Sequence, residues 1–144
     1  MLPISIWTAG LSSSLGYGGW AWLAIQGGVA RGHTGGERKA TELRMGLIGL
    51  LKAMQAAADQ PDAPLRLHMR LAAPETDRDL WDQIVAARAA RKGTVSLVVA
   101  PNPVADAFVR EWAVLAQDKV KAGGAFAFPI PKHVLGAIAA KTKA

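Results

Sequence analysis

Residues 3–9 alternate, with Ile4, Ile6 and Thr8 on one side, which is the two-residue period of a β-strand. Residues 10–18 are rich in serine and glycine and read as a turn. Residues 19–27 and 29–36 read as two further strands joined at Gly27-Gly28, which predicts an antiparallel meander. Residues 41–58 switch to helical spacing, with Leu43, Leu47, Leu50 or Leu51 and Met54 on one side. Asp59, Pro61 and Asp62 end that helix. Residues 65–70 alternate again: Leu65, Leu67 and Met69 face one way and Arg66, His68 and Arg70 the other, as on a short strand with one apolar face.

The second half repeats the strand–helix alternation. Thr76 with Asp79 has the form of a capping box and opens a helix through about Lys92. Arg88, Arg91 and Lys92 suit the end of its dipole, and Gly93 is a natural stop. Residues 95–99 read as an apolar strand, which predicts burial on both faces. Asn102-Pro103 supplies an N-cap and a first-turn proline for a helix through about Lys121, with Val104, Phe108, Trp112 and Leu115 as its buried stripe. Gly123-Gly124 ends it. Pro129 and Pro131 precede a short helix from Lys132 to about Ala140. The order predicts an α/β fold: a five-stranded mixed sheet with helices on both faces. Residues 1–122 form its domain, and residues 123–144 a Gly- and Pro-containing tail with a short helix.

At 144 residues, half of them apolar, the chain has the size of one domain with a substantial core. No segment has the uninterrupted apolar length of a membrane span, so no membrane partner is expected. No basic residue precedes the N-terminal apolar stretch, so it does not read as a signal peptide. The absence of cysteine excludes disulfides and thiolate metal sites, and the expected location is cytoplasmic. A net charge of +6 favours anionic partners.

Ile6-Trp7-Thr8-Ala9-Gly10 with Gly18-Gly19-Trp20, Thr41-Glu42-Leu43-Arg44-Met45-Gly46-Leu47, and Asp79-Leu80-Trp81 are three segments that together resemble the type 1 ribonuclease H family. Ile6-Trp7-Thr8-Ala9-Gly10, followed by Gly18-Gly19-Trp20, resembles the family's first hairpin, which carries Thr-Asp-Gly and then Gly-Gly with an aromatic residue. Thr41-Glu42-Leu43-Arg44-Met45-Gly46-Leu47 resembles its Thr-Asn-Asn-Arg-Met-Glu-Leu. Asp79-Leu80-Trp81 and the apolar strand after it resemble a later helix–strand pair. The resemblance implies the ribonuclease H-like fold. It also implies four carboxylates holding two magnesium ions beside the scissile phosphate. Here those positions carry Ala9, Gly46, the His68-Met69-Arg70 segment and, near the start of the last helix, about Ala113 or Val114. The resemblance thus points to a catalytically inactive member with no metal and no cofactor.

Two classes of function follow. One is a module that binds RNA, DNA or a hybrid without cleaving it. Arg66, His68 and Arg70 would replace metal with an anion site, and Thr41 matches a residue that contacts a DNA phosphate in the family. The same strand residues also read as a solvated face, and Thr41 as a helix cap. The other class is a protein-interaction or assembly module, with a homodimer as one form. Its signals are the small-residue flank Gly46, Gly49 and Ala53 and the apolar segment 125–130, which could equally cover the domain's own surface. An active nuclease with a rebuilt site using Glu42, Asp106 or Glu111 is the remaining alternative. Trp7, Trp20, Trp22, Trp81 and Trp112 are candidate base-stacking residues. Trp81 and Trp112 lie on expected core stripes, and Trp20 and Trp22 point the same way, with one of them expected at the surface.

Overall fold

The computed structural model describes residues 1–142. β1 (Ile4–Ser12), β2 (Gly18–Gln26) and β3 (Val29–Glu37) form the antiparallel meander. They are followed by α1 (Glu42–Ala56), β4 (Leu65–Leu67), α2 (Arg78–Ala89), β5 (Val95–Leu97), α3 (Pro103–Gly123), β6 (Phe126–Pro129) and α4 (Lys132–Thr142). The sheet order is β5-β4-β1-β2-β3-β6, with β4 and β5 parallel to β1. The chain therefore has the expected α/β class, with helices on both faces. The sheet has six strands rather than five: β6, from the segment expected as a tail, pairs antiparallel with β3. α4 then closes back on β3 and α3. Residues 143–144 of that segment lie outside the described residues. No described helix is long and apolar enough to cross a membrane.

Alternation along each strand divides the core in two. Ile4, Ile6, Trp20, Trp22, Leu65 and Leu67 face α1 and α2. Trp7, Ala21, Leu23 and Ile25 face α3 and α4. Trp20 and Trp22 do point the same way, but both are buried, so neither is a surface stacking residue. Trp81 and Trp112 are half-buried.

α1 starts where expected, because the Thr41 side chain accepts from the Arg44 amide at 3.1 Å. α2 starts differently. Asp77 adopts a left-handed conformation at its N-cap, φ 55°, and makes no side-chain cap bond, so the Thr76–Asp79 box does not form. Asp77 instead accepts from Arg44 Nη1 at 3.2 Å, while Arg44 Nε donates to Glu37. One guanidinium thus ties the end of β3 and the entry of α2 to the first turn of α1. Both partners hold its pKa above the ordinary arginine value, Glu37 most strongly.

Two burial expectations fail. β5 is the edge strand of the sheet. Leu97, in register with Leu67 on the α1 and α2 side, and Val99, beyond the strand, are 46% and 59% exposed, not buried. α3 lies over β1, β2 and β3. α3 also lies so close to β2 that a Cβ on Gly19 would collide with the carbonyl oxygen of Ala113. Small residues must fill that contact. The buried side of α3 is Ala105, Phe108, Val109, Ala113, Ala116 and Val120, whereas Val104 and Leu115 of the expected stripe are exposed.

α1 crosses β1 equally closely: a Cβ on Gly10 would collide with the backbone of Met45 and Gly46. Gly49 approaches the carbonyl of Ala21, so the small-residue flank of α1 serves contact with the sheet. A Cβ on Gly46 would meet nothing within 4 Å. Two substitutions separate these roles. Gly10→Ala should destabilise by about 1–3 kcal/mol through overpacking. Gly46→Ala should stabilise by about 1 kcal/mol, the helix-interior cost of glycine. Urea unfolding of both variants checks this, and a destabilised Gly46→Ala would contradict the open space found there.

Candidate functional site

The ends of β1 and β4 and the first turns of α1 enclose a groove of about 400 Å³. Thr8, Gly10, Gly46 and Met69 lie in its wall, together with Leu43, Leu47, Leu50 and Leu71. Its charged residues are Glu42 and Arg70. Ala9 is absent from this lining. Strand alternation turns it to the opposite face, where it packs with Leu11 against the α3-side core. Gly46 contributes backbone only.

The expected cationic row is divided. β4 ends at Leu67, and the chain bends at Met69, whose sulfur lies 3.9 Å from the Thr8 hydroxyl. Period-two alternation stops with the strand. Arg66 pairs in register with Ser5 and lies opposite the Leu65–Leu67 face. His68 stacks on Trp7 at 4.2 Å and 20°, also on the α3 side. Arg70 lines the groove on the α1 side. The three residues do not share a face.

His68 keeps one strand-like bond, its amide donating to Ile6 at 2.9 Å. Both ring nitrogens and the Trp7 indole nitrogen are buried without hydrogen-bond partners. Burial lowers the His68 pKa; nearby Asp106 opposes this and Arg66 reinforces it. Asp106 is the acidic residue in the first turn of α3. The helix begins at Pro103, as expected, so Ala113 and Val114, aligned with the fourth carboxylate near a helix start, lie well inside it. Asp106, weighed in the sequence as a ligand of a rebuilt site, lies four positions beyond the Asn102 cap and accepts from the Asn102 amide at 3.2 Å. Glu111 lies further along the same helix and is exposed. Among the described residues, no three His, Asp or Glu side chains cluster in a way that could hold a metal ion.

Thr41 caps α1 as an acceptor and is exposed, which leaves its hydroxyl proton available. Arg44, beside it, was not singled out in the sequence. One acidic partner, Glu37, ends the preceding strand, and the other, Asp77, lies 33 residues on, where only the fold brings it to Arg44.

Comparison with solved structures assigns this architecture to the ribonuclease H-like fold. The RNase H1 of the halophilic archaeon Halobacterium salinarum NRC-1 superposes with a TM-score of 0.62 at 23% identity, covering 81% of this chain and 98% of that one. The N-terminal RNase H domain of rv2228c from Mycobacterium tuberculosis, determined as a fusion with maltose binding protein, superposes with a TM-score of 0.63 at 14% identity, covering 85% and 98%. No family model and no curated protein matches the chain.

The buried histidine gives stability a definite pH dependence. Folding lowers the His68 pKa from 6.5, and burial with the Lys52 charge does the same at His33. Above the unfolded pKa both states are neutral and the full stability is present. As pH falls below it, the unfolded chain takes up protons first, so stability declines until the folded pKa values are reached. Urea midpoints at pH 7.5 and 5.5 should fall for the wild type and fall less for His68→Phe, which keeps the stack on Trp7. Equal declines would remove His68 as a source.

Proposed function

We propose that the chain is a ribonuclease H-like module that binds nucleic acid without hydrolysing it. The observation that carries this reading is the donor set at the crossing of β1 and α1. Gly46 offers no oxygen ligand there, Ala9 faces the α3 side and has none to offer, and the groove has one carboxylate, Glu42, accompanied by the Arg70 guanidinium. Magnesium is held by oxygen ligands, commonly carboxylates. A pair of magnesium ions does not fit this set, and Asp106 belongs to the α3 side with His68. The net charge of +6 supports an anionic partner. In the groove the anion contact falls to Arg70, and the exposed Thr41 precedes the lining residue Glu42 in the chain; Arg66 and His68 would act only on the other face.

A second reading, an assembly module, is favoured by one feature. The groove is mainly aliphatic, and Leu43 at its rim is 43% exposed. Such a lining suits a polypeptide better than a phosphate.

One set of measurements separates these readings. An RNA–DNA hybrid incubated with magnesium or manganese should stay intact. Binding should persist in a chelator and weaken steeply with salt. Arg70→Ala should weaken it several-fold and reduce the salt slope by about one unit. Cleavage abolished by Glu42→Gln or Asp106→Asn would establish a rebuilt catalytic site instead. Absence of binding, together with a salt-insensitive dimer, would favour assembly.

A further inference from the structure

At the sheet edge opposite the groove's side, a cavity of about 320 Å³ lies between the second half of α3 and β6. This is the small end of the size range of ligand pockets, about 300–1,000 Å³. Trp112, Phe126 and Phe128 give it aromatic walls, and Leu115 and Pro131 complete the apolar lining. Phe126 and Phe128 stack on each other at 5.3 Å. Lys119 places its ammonium 4.7 Å from the Phe128 ring centroid. It is the charged residue of the lining, and no carboxylate faces it there. The Thr34 hydroxyl is already engaged by the carbonyls of Trp20 and Trp112, so the cavity asks its occupant for no specific hydrogen bond.

The cationic character continues past the cavity. Arg38 reaches the end of α3, its guanidinium near the carbonyls of Val120 and Lys121 at 3.4 Å. Lys121 is itself exposed. Aromatic rings beside unpaired cations, with no counter-charge in the lining, suit a flat ring with an adjacent anion. Base stacking on such rings is tolerant of sequence, and the phosphate supplies the anion. We propose that this cavity and its rim bind a nucleotide unit of a single-stranded nucleic acid. A base packs against Phe126 and Phe128, and Lys119 moves from the Phe128 ring to the neighbouring phosphate. The inference rests on the nucleic-acid reading above but uses residues remote from Ala9, Gly46 and Arg70.

The test is binding of short oligodeoxythymidylate and oligouridylate to the full chain at two salt concentrations. Phe128→Leu keeps an apolar side chain but loses the ring face, and should weaken binding about tenfold. Phe128→Trp should retain it, which shows that the loss is not one of folding. Lys119→Gln should lower the slope of log affinity against log salt by about 0.7, the single-strand value for one phosphate contact. Wild-type binding that is unchanged in both Phe128→Leu and Lys119→Gln overturns this site and leaves the nucleic-acid reading standing. Wild-type failure to bind any strand or hybrid overturns both. Thymidine monophosphate binding as tightly as the strand, or displacement of the strand by a fatty acid at the same cavity, overturns the single-strand assignment.

Discussion

The structure depends on two helices lying almost directly on strand backbone. α1 crosses β1 where Gly10 meets the backbone of Met45 and Gly46, and α3 crosses β2 where Gly19 meets the carbonyl of Ala113. Neither contact leaves space for a Cβ. With the helices this close, the layers between them must be thin on the α3 side, which is why alanines fill its contact. On the α1 side the same closeness is relieved away from the crossing, where Trp20, Trp22 and Met54 supply the volume. The split core follows from where these helices lie.

That crossing also defines the groove. It brings Gly46 beside the end of β1 with its side-chain direction pointing to open space, while Thr8 and Gly10 form the floor. The Arg44 guanidinium holds the surrounding segments, bridging Glu37 and Asp77. These ion pairs are partly solvated, so their contribution is geometric more than energetic. The resulting groove is apolar with one charge of each sign. Its electrostatics differ from those of a site built to concentrate metal ions with carboxylates, and from those of a strongly cationic phosphate cradle.

The C-terminal segment changes the other edge. By pairing with β3, β6 covers an edge that would otherwise expose unpaired backbone groups. It also carries two phenylalanines to the flank of α3, where Lys119 lies over one of them. Cationic and aromatic character is therefore richer at this edge than in the groove. The distribution of function over the surface need not follow the fold's usual site.

The sequence by itself determined the element order as far as α3, the meander, the α1 and α3 caps and the α/β class. Local periodicity and capping are written in neighbouring residues, so Thr41 and Asn102 could be read directly. It also set which chemistry was available at Ala9 and Gly46. It did not determine which residues share a face once a strand ends: the bend at Met69 sent Arg70 to the α1 side and left Arg66 and His68 on the other. Nor could it show that Val104 and Leu115 would be exposed, since helical spacing gives a stripe but not the distance to the sheet beneath it. The burial of residues 95–99 was misjudged because apolar content does not reveal an edge. The sixth strand and the Arg44–Asp77 contact join residues far apart in the chain, and the Lys119–Phe128 contact joins two different elements. Only tertiary structure decides such contacts, because their partners are set by the packing of whole layers rather than by any local preference.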